Sequence, residues 1–219
     1  MANGSEGTLS RIDPRLDAVA VTIDLRGSSA LVPNAVYGVA TGAGSAWVAG
    51  GGRSLIRIDP EADEPGVEID VGHVPVGVAA GEDAVWVATL AERALRIEPR
   101  TNAVTGEVSI GMPVALALGG GAVWVADSYD SVWRIDLSTS AVTRTIPVGR
   151  SPVGVALASE AVWVANNADG TVSRIDPDTN RVVETIRIGF APTDVAVGEG
   201  RVWVSVGNES AMWGLSGYL

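Results

Sequence analysis

The chain reads as an all-β β-propeller of five four-stranded antiparallel blades. Three observations predict it: one phrase recurs along the sequence at nearly constant spacing, each copy alternates apolar and polar residues with period two, and turn-forming residues separate the alternating runs. The phrase is a glycine-bounded apolar run ending in Trp-Val, a polar loop, and then Arg-Ile-Asp or a near variant. Its tryptophans are Trp47, Trp86, Trp124, Trp163 and Trp203, at steps of 39, 38, 39 and 40 residues. A period of about forty residues is that of propeller blades.

Residues 154–189 make one full unit, and each of its four strands follows from local composition. Glycine and alanine take alternate places in 153–157, so this first strand lets neighbouring backbones crowd together, as strands at a propeller hub must. In 161–165, Val162 and Val164 face one side and Trp163 the other. The third strand, 172–176, carries Arg-Ile-Asp, and the fourth covers 182–188. Between them Pro177 presets a backbone dihedral while Asp176 and Asp178 accept backbone hydrogen bonds, which predicts a turn.

The two ends complement each other. Residues 2–14 align without a gap on 165–177, so the pattern opens on third and fourth strands, passes through four whole units and ends on first and second strands around Val195 and Trp203. Pairing of the N-terminal strands with the C-terminal blade is expected to close the ring and remove exposed sheet edges. Residues 206–219 have no Arg-Ile-Asp, and Met212, Trp213, Leu215, Tyr218 and Leu219 predict a degenerate strand or a tail packed on the ring. The stretch 26–36 is about seven residues longer than its counterparts, and insertions of this kind fall on one rim of a repeat fold.

Composition narrows the classes of function. The repeat leaves no unrepeated block large enough for a second core, so 219 residues are expected to form a single domain, 1–219. Gly, Asp and Arg interrupt the apolar runs at short intervals, so membrane insertion is not expected. The opening residues lack the basic start and apolar core of a secretion signal, which leaves extracellular and cytoplasmic locations both open. There is no cysteine, and a net charge of −11 repels phosphate backbones, making nucleic acid a poor partner. No motif calls for a cofactor.

The pattern G-V-A-x-G-x-x-A-V-W-V-A-N, followed by T-V-S-R-I-D-P-x-T-N-x-V-x-x-T-I-x-V-G, resembles the YVTN-type bacterial β-propeller repeat, related to the repeats of streptogramin B lyase-like propellers. The resemblance covers residues 2–205. It implies a scaffold used for sensing, surface layers and regulator modules, with one lyase branch. Such rings usually have six or seven blades, so five units leave an alternative: a fragment of a larger propeller, open or strand-exchanged.

Residues with chemical capacity have simpler uses. The five tryptophans, at one strand position, are expected to fill the core between neighbouring blades. Arg57 with Asp59, Arg96 with Glu98, Arg134 with Asp136 and Arg174 with Asp176 stand two apart, on one strand face, and are expected to form ion pairs and turn caps. His73 is the single histidine, so no histidine metal cluster can form. The resemblance to lyases implies a histidine near the channel mouth with an acidic partner, for which His73 with Asp194 or Asp127 is the candidate pairing. Residues 166–170 are rich in oxygen donors yet lack the bidentate glutamate and spacing of a calcium loop, and read as a hairpin turn.

Function is sought where the repeat stops repeating. Between the fourth strand and the next proline stand His73, Met112, Arg150 and Phe190, with Tyr37 in the longer first connection. Loops between second and third strands differ too and contribute Asp127, Tyr129 and Asn167; Asp194 completes the candidate binding set. Both loop groups are expected on one rim, where a propeller offers an adaptable surface. The expectation is a non-enzymatic binding, sensor or scaffold domain recognising a peptide or small ligand on that rim, as a monomer or a strand-exchanged dimer. The alternatives are a lyase or hydrolase at the channel mouth, and an engineered or truncated repeat scaffold with no selected ligand.

Overall fold

The computed structural model describes residues 2–3, 6–28, 35–62, 64–158 and 160–207. Contacts divide the chain into two compact units, Met1–Pro113 and Val114–Leu219, with the division one residue into the twelfth strand. The first unit holds β1 (Ala2–Asn3), β2 (Thr8–Asp13), β3 (Ala18–Asp24), β4 (Val36–Gly42), β5 (Ser45–Gly50), β6 (Ser54–Ile58), β7 (Val67–Asp70), β8 (Pro75–Ala80), β9 (Val85–Thr89), β10 (Arg93–Glu98) and β11 (Ala103–Ser109). The second holds β12 (Pro113–Gly119), β13 (Ala122–Asp127), β14 (Ser131–Asp136), β15 (Val142–Pro147), β16 (Pro152–Ala158), β17 (Ala161–Asn166), β18 (Thr171–Asp176), β19 (Arg181–Arg187), β20 (Ala191–Gly198) and β21 (Arg201–Gly207). Four whole blades result, β4–β7, β8–β11, β12–β15 and β16–β19, each an antiparallel meander. β1–β3 form a three-stranded sheet and β20–β21 a two-stranded one. The expected tail lies outside the described residues from 208 onward, as does most of the long first connection.

The predicted turns take a single form. Asn102, Ser140 and Asn180 lie in the left-handed region, as does Asp17, and the ladder slips one place just inside each turn, between Arg96 and Ile97, Arg134 and Ile135, Arg174 and Ile175, and Arg11 and Ile12. The acid at the turn start accepts backbone N–H groups: Asp176 from Asp178 at 2.8 Å and Thr179 at 3.1 Å, Asp136 from Ser138 at 3.0 Å and Thr139 at 2.9 Å. Turn capping is therefore the role of these carboxylates. The expected ion pairs with the arginine two residues earlier are not among the ion pairs of the described residues, where Arg174 instead meets Glu184.

The arginines have a different use. Arg57, Arg134 and Arg174 stand directly across the ladder from Trp47, Trp124 and Trp163, and each guanidinium lies over the opposing indole, at 5.1, 5.4 and 5.8 Å from the ring centroid. Arg57 also reaches the next blade, donating to the Pro99 carbonyl and to Asn102 Oδ1. Trp47 packs with Ile69, Val85, Val87 and Ile97, joining β4–β7 to β8–β11, as expected of a residue between blades. Trp47, Trp86 and Trp124 are completely buried, and Trp163 is half-buried. Trp203 departs from the expectation: it is 58% exposed, because β21 has a ladder on one side only among the described residues.

Crowding of first strands follows from small residues. A Cβ on Gly42 would stand 2.6 Å from the Ala80 carbonyl oxygen, so β4 and β8 approach more closely than any side chain would permit.

Candidate binding rim

In the second unit the variable loops are laced to one another. The N–H of Ser151, before β16, donates to the Tyr129 carbonyl at 2.8 Å, and the N–H of Asn167, after β17, donates to the Ser151 carbonyl at 2.9 Å. Ala168 N–H reaches the Arg150 carbonyl at 3.2 Å, and Asn167 Nδ2 donates to the Pro192 carbonyl at 2.9 Å. Both loop groups thus share one rim in this unit, where backbone bonds bridge two successive sheets and the Asn167 side chain reaches the third. Ser151 lies in the left-handed region, a conformation these bonds impose on a residue with a side chain. Gly170 has φ of +62, and a Cβ there would press on the Phe190 carbonyl at 3.3 Å, so the loop carrying Phe190 closes over a glycine.

Along this rim the side chains split into two groups. Tyr129 and Phe190 project into solvent, 63% and 64% exposed, on loops that the hydrogen bonds hold in place. Arg150 is exposed between them in chain order, and Asp169 clamps it: Oδ2 accepts the Arg150 N–H and Oδ1 its Nε, both at 2.7 Å. Those hydrogen bonds, the backbone one foremost, hold the Asp169 carboxyl below the usual carboxylate range. Beside them a hollow of about 440 Å³ is lined by Val148, Gly149, Asp169, Thr171, Thr185 and Arg187.

Other members of the expected set are occupied by the fold. Asp127 is buried, with Oδ1 accepting the Tyr129 N–H at 2.8 Å and Oδ2 the Trp133 indole N–H at 3.1 Å, so it shapes the loop that presents Tyr129. Asn167 is half-buried and ties β17 to β20. Asp194 accepts the N–H of Val195 at 2.8 Å and lies against Gly154, where a Cβ would meet its Oδ1 at 2.4 Å. In the oxygen-rich loop, Asn166 is buried and donates to Thr171 Oγ1 and Ser173 Oγ, at 3.1 and 2.9 Å. Together with the clamp at Asp169, this makes the loop a hairpin turn.

The first unit presents a plainer rim. Tyr37 and Met112 are exposed, as is His73, which follows a turn in which Asp70 accepts the Gly72 N–H at 2.8 Å. Among the described residues of this unit no carboxylate is hydrogen-bonded to His73. The loops meet here too, through Leu90 N–H to the Val74 carbonyl at 3.0 Å and Gly51 N–H to the Ala35 carbonyl at 2.9 Å. Asp169, the Arg150 clamp, was not singled out in the sequence, where the stretch 166–170 reads as a hairpin turn and an exposed arginine calls for no partner.

No family model matches this chain, and no curated protein does. Among solved structures, a streptogramin B lyase superposes with a TM-score of 0.77 at 17% identity, covering 92% of this chain and 70% of that one. The fold is a β-propeller. Hydrazine synthase of Kuenenia stuttgartiensis superposes with a TM-score of 0.68 at 17% identity, over 73% of this chain. This propeller chain spans about half the length of the hydrazine synthase chain, 51%. Identities this low make the likeness one of fold.

Proposed function

We propose that this propeller is a non-enzymatic binding domain that takes a peptide or small ligand on the loop rim of its second unit. One observation carries the reading: Tyr129 and Phe190, both largely exposed, stand on loops that backbone hydrogen bonds hold rigid, with the clamped Arg150 between them in chain order. Exposed aromatics on fixed loops give contact area at low entropic cost, which is what a recognition surface needs. The arginine supplies one oriented charge, and the adjoining hollow falls in the size range of small-ligand sites, about 300–1,000 Å³. A ligand carrying an apolar group and a carboxylate suits the set.

A random peptide library displayed on phage, panned against the intact protein, tests the proposal. Enriched peptides should bind the native chain and lose at least about tenfold in affinity against Tyr129→Ala/Phe190→Ala, a loss of about 1.4 kcal/mol, while thermal melting stays unchanged. Peptides that bind the double variant equally well would place recognition elsewhere.

A further inference from the structure

The hollow beside the Arg150 clamp lies where the blade β16–β19 departs from the other whole blades. The residue before the arginine of the third strand is Ile56, Leu95 and Trp133 in β6, β10 and β14, and in β18 it is Ser173. Ser173 is buried, so a small hydroxyl stands where the other blades set a large apolar side chain. Its neighbours continue the change. Across the ladder Ser173 faces Thr185 and Thr171 faces Arg187, which puts four polar side chains on one face of the sheet, and all four line the hollow. The place of Arg187 is held by Asp70, Ser109 and Pro147 in the other whole blades and by Asp24 in β1–β3, so among these sheets β19 alone puts a cation there.

The group is arranged to donate hydrogen bonds. Asn166, completely buried, gives its Nδ2 to the Thr171 and Ser173 hydroxyls at 3.1 and 2.9 Å, so each hydroxyl oxygen accepts and each keeps its own proton for a further partner. Among the described residues no hydrogen bond uses those protons, and none reaches the Thr185 hydroxyl or the Arg187 guanidinium, which is also in no ion pair. Arg150 differs, since Asp169 already offsets its charge at 2.7 Å. β19 ends at Arg187, and the Ile188 N–H donates to the Gly170 carbonyl at 2.9 Å, so the loop presenting Phe190 leaves the sheet directly after Arg187.

We propose that the hollow is the carboxylate subsite of the rim, in which Arg187 and the hydroxyls of Ser173, Thr171 and Thr185 donate to one carboxylate of the ligand while Phe190 meets its apolar part. A guanidinium matches a carboxylate in plane and charge, and hydroxyls held by a buried amide need little reordering when the anion arrives. The assignment rests on the ligand reading above and gives the carboxylate to Arg187, whose charge is uncompensated, ahead of Arg150.

Three small probes test it on the intact protein by NMR titration: N-acetylphenylalanine, which has a free terminal carboxylate, its primary amide, which has none, and N-acetylglutamylphenylalaninamide, whose carboxylate is on a side chain. The better of the two carboxylate probes should shift the signals of Thr171, Thr185 and the Arg187 Nε–H and bind at least about tenfold more tightly than the amide. Which of the two is better tells a chain terminus from an acidic side chain as the source. Arg187→Gln should bring that probe to the affinity of the amide, while Arg181→Gln, which removes the same charge from the other end of β19, should leave the preference intact. Should Arg187→Gln not fold, the Arg187 Nε–H of the native chain decides, moved by the carboxylate and not by the amide. Carboxylate and amide probes that bind equally, with shifts at Tyr129 and Phe190, would overturn the subsite and leave the rim reading standing. A carboxylate preference that survives Arg187→Gln would overturn it as well. Carboxylate-dependent shifts in the hollow with none at Tyr129 or Phe190 would uphold the subsite and remove the aromatic rim, and probes that shift no signal would remove both.

Discussion

The whole blade β12–β15 and the half-blade β20–β21 are written in nearly the same residues, yet they differ in what those residues do. Trp124 and Trp203 occupy the same strand position, but one is completely buried and the other 58% exposed. Trp124 packs among Val132, Ile146, Val155 and Val162, contributed by its own blade and the next, while among the described residues β21 has a neighbouring strand on one side. A repeat therefore specifies which face a side chain takes. Whether that face is buried depends on the adjoining strand and blade.

The largest test of this difference is removal of the two indoles. Trp124→Ala should destabilise the chain by about 3–5 kcal/mol, through lost burial and the cavity left behind. Trp203→Ala should change stability by less than about 0.5 kcal/mol in dilute protein, as for most exposed positions. Chemical denaturation of both variants checks the pair. Equal losses would mean that β21 is covered in the monomer, and the comparison would fail.

Much of the blade was legible in the sequence because it rests on short-range chemistry. Period-two alternation places Val162 and Val164 on one face, and the Asp-Pro start of the turn at Asp176 announces the capping carboxylate. The arginines show where such reasoning stops. Arg174 and Asp176 share a face, which suggested an ion pair, but the register sets Arg174 directly across from Trp163 and the turn claims Asp176. Pairing across the ladder is a property of two strands together, invisible in the spacing of one. At the rim, Tyr129, Arg150 and Phe190 could be found because blade geometry does not require them. Asp127 could not be separated from them, since whether a loop carboxylate turns inward depends on the indole N–H of Trp133 six residues on.

Glycine gives a second, smaller contrast between the same kinds of sheet. Gly42 and Gly198 close equivalent first strands, but a Cβ at Gly42 would strike the Ala80 backbone while one at Gly198 would meet nothing within 4 Å. Gly42→Ala should cost about 1–3 kcal/mol, as a clash against backbone that must shift. Gly198→Ala should stay within about 0.5 kcal/mol of the native chain. Urea midpoints at unchanged slope distinguish the two outcomes. A destabilised Gly198→Ala would show β20 packed as tightly at its end as β4 is.

The smallest effect concerns the turns, and it is readable only in acid. At the start of its turn in the whole blade, Asp136 accepts hydrogen bonds from the Ser138 hydroxyl at 2.6 Å, the Thr139 hydroxyl at 3.0 Å and both backbone N–H groups, whereas in the sheet β1–β3 Asp13 accepts the Arg15 N–H at 2.8 Å. The Ser138 hydroxyl, followed by the Thr139 N–H and hydroxyl, lowers the Asp136 carboxyl from 3.8 to about 2. In the unfolded chain the carboxyl keeps its ordinary value, so folding favours the ionised form. Its contribution is complete above pH 3.8, declines as pH falls, and is gone below about pH 2. Asp136→Asn should therefore lower the melting temperature slightly at neutral pH and flatten its fall across that window, because the amide cannot take up the proton. Melting curves of the native chain and the variant that converge below about pH 2 assign this part of the acid response to Asp136. Parallel curves from neutral to acid pH would mean that the four donors hold the turn equally well around an uncharged side chain.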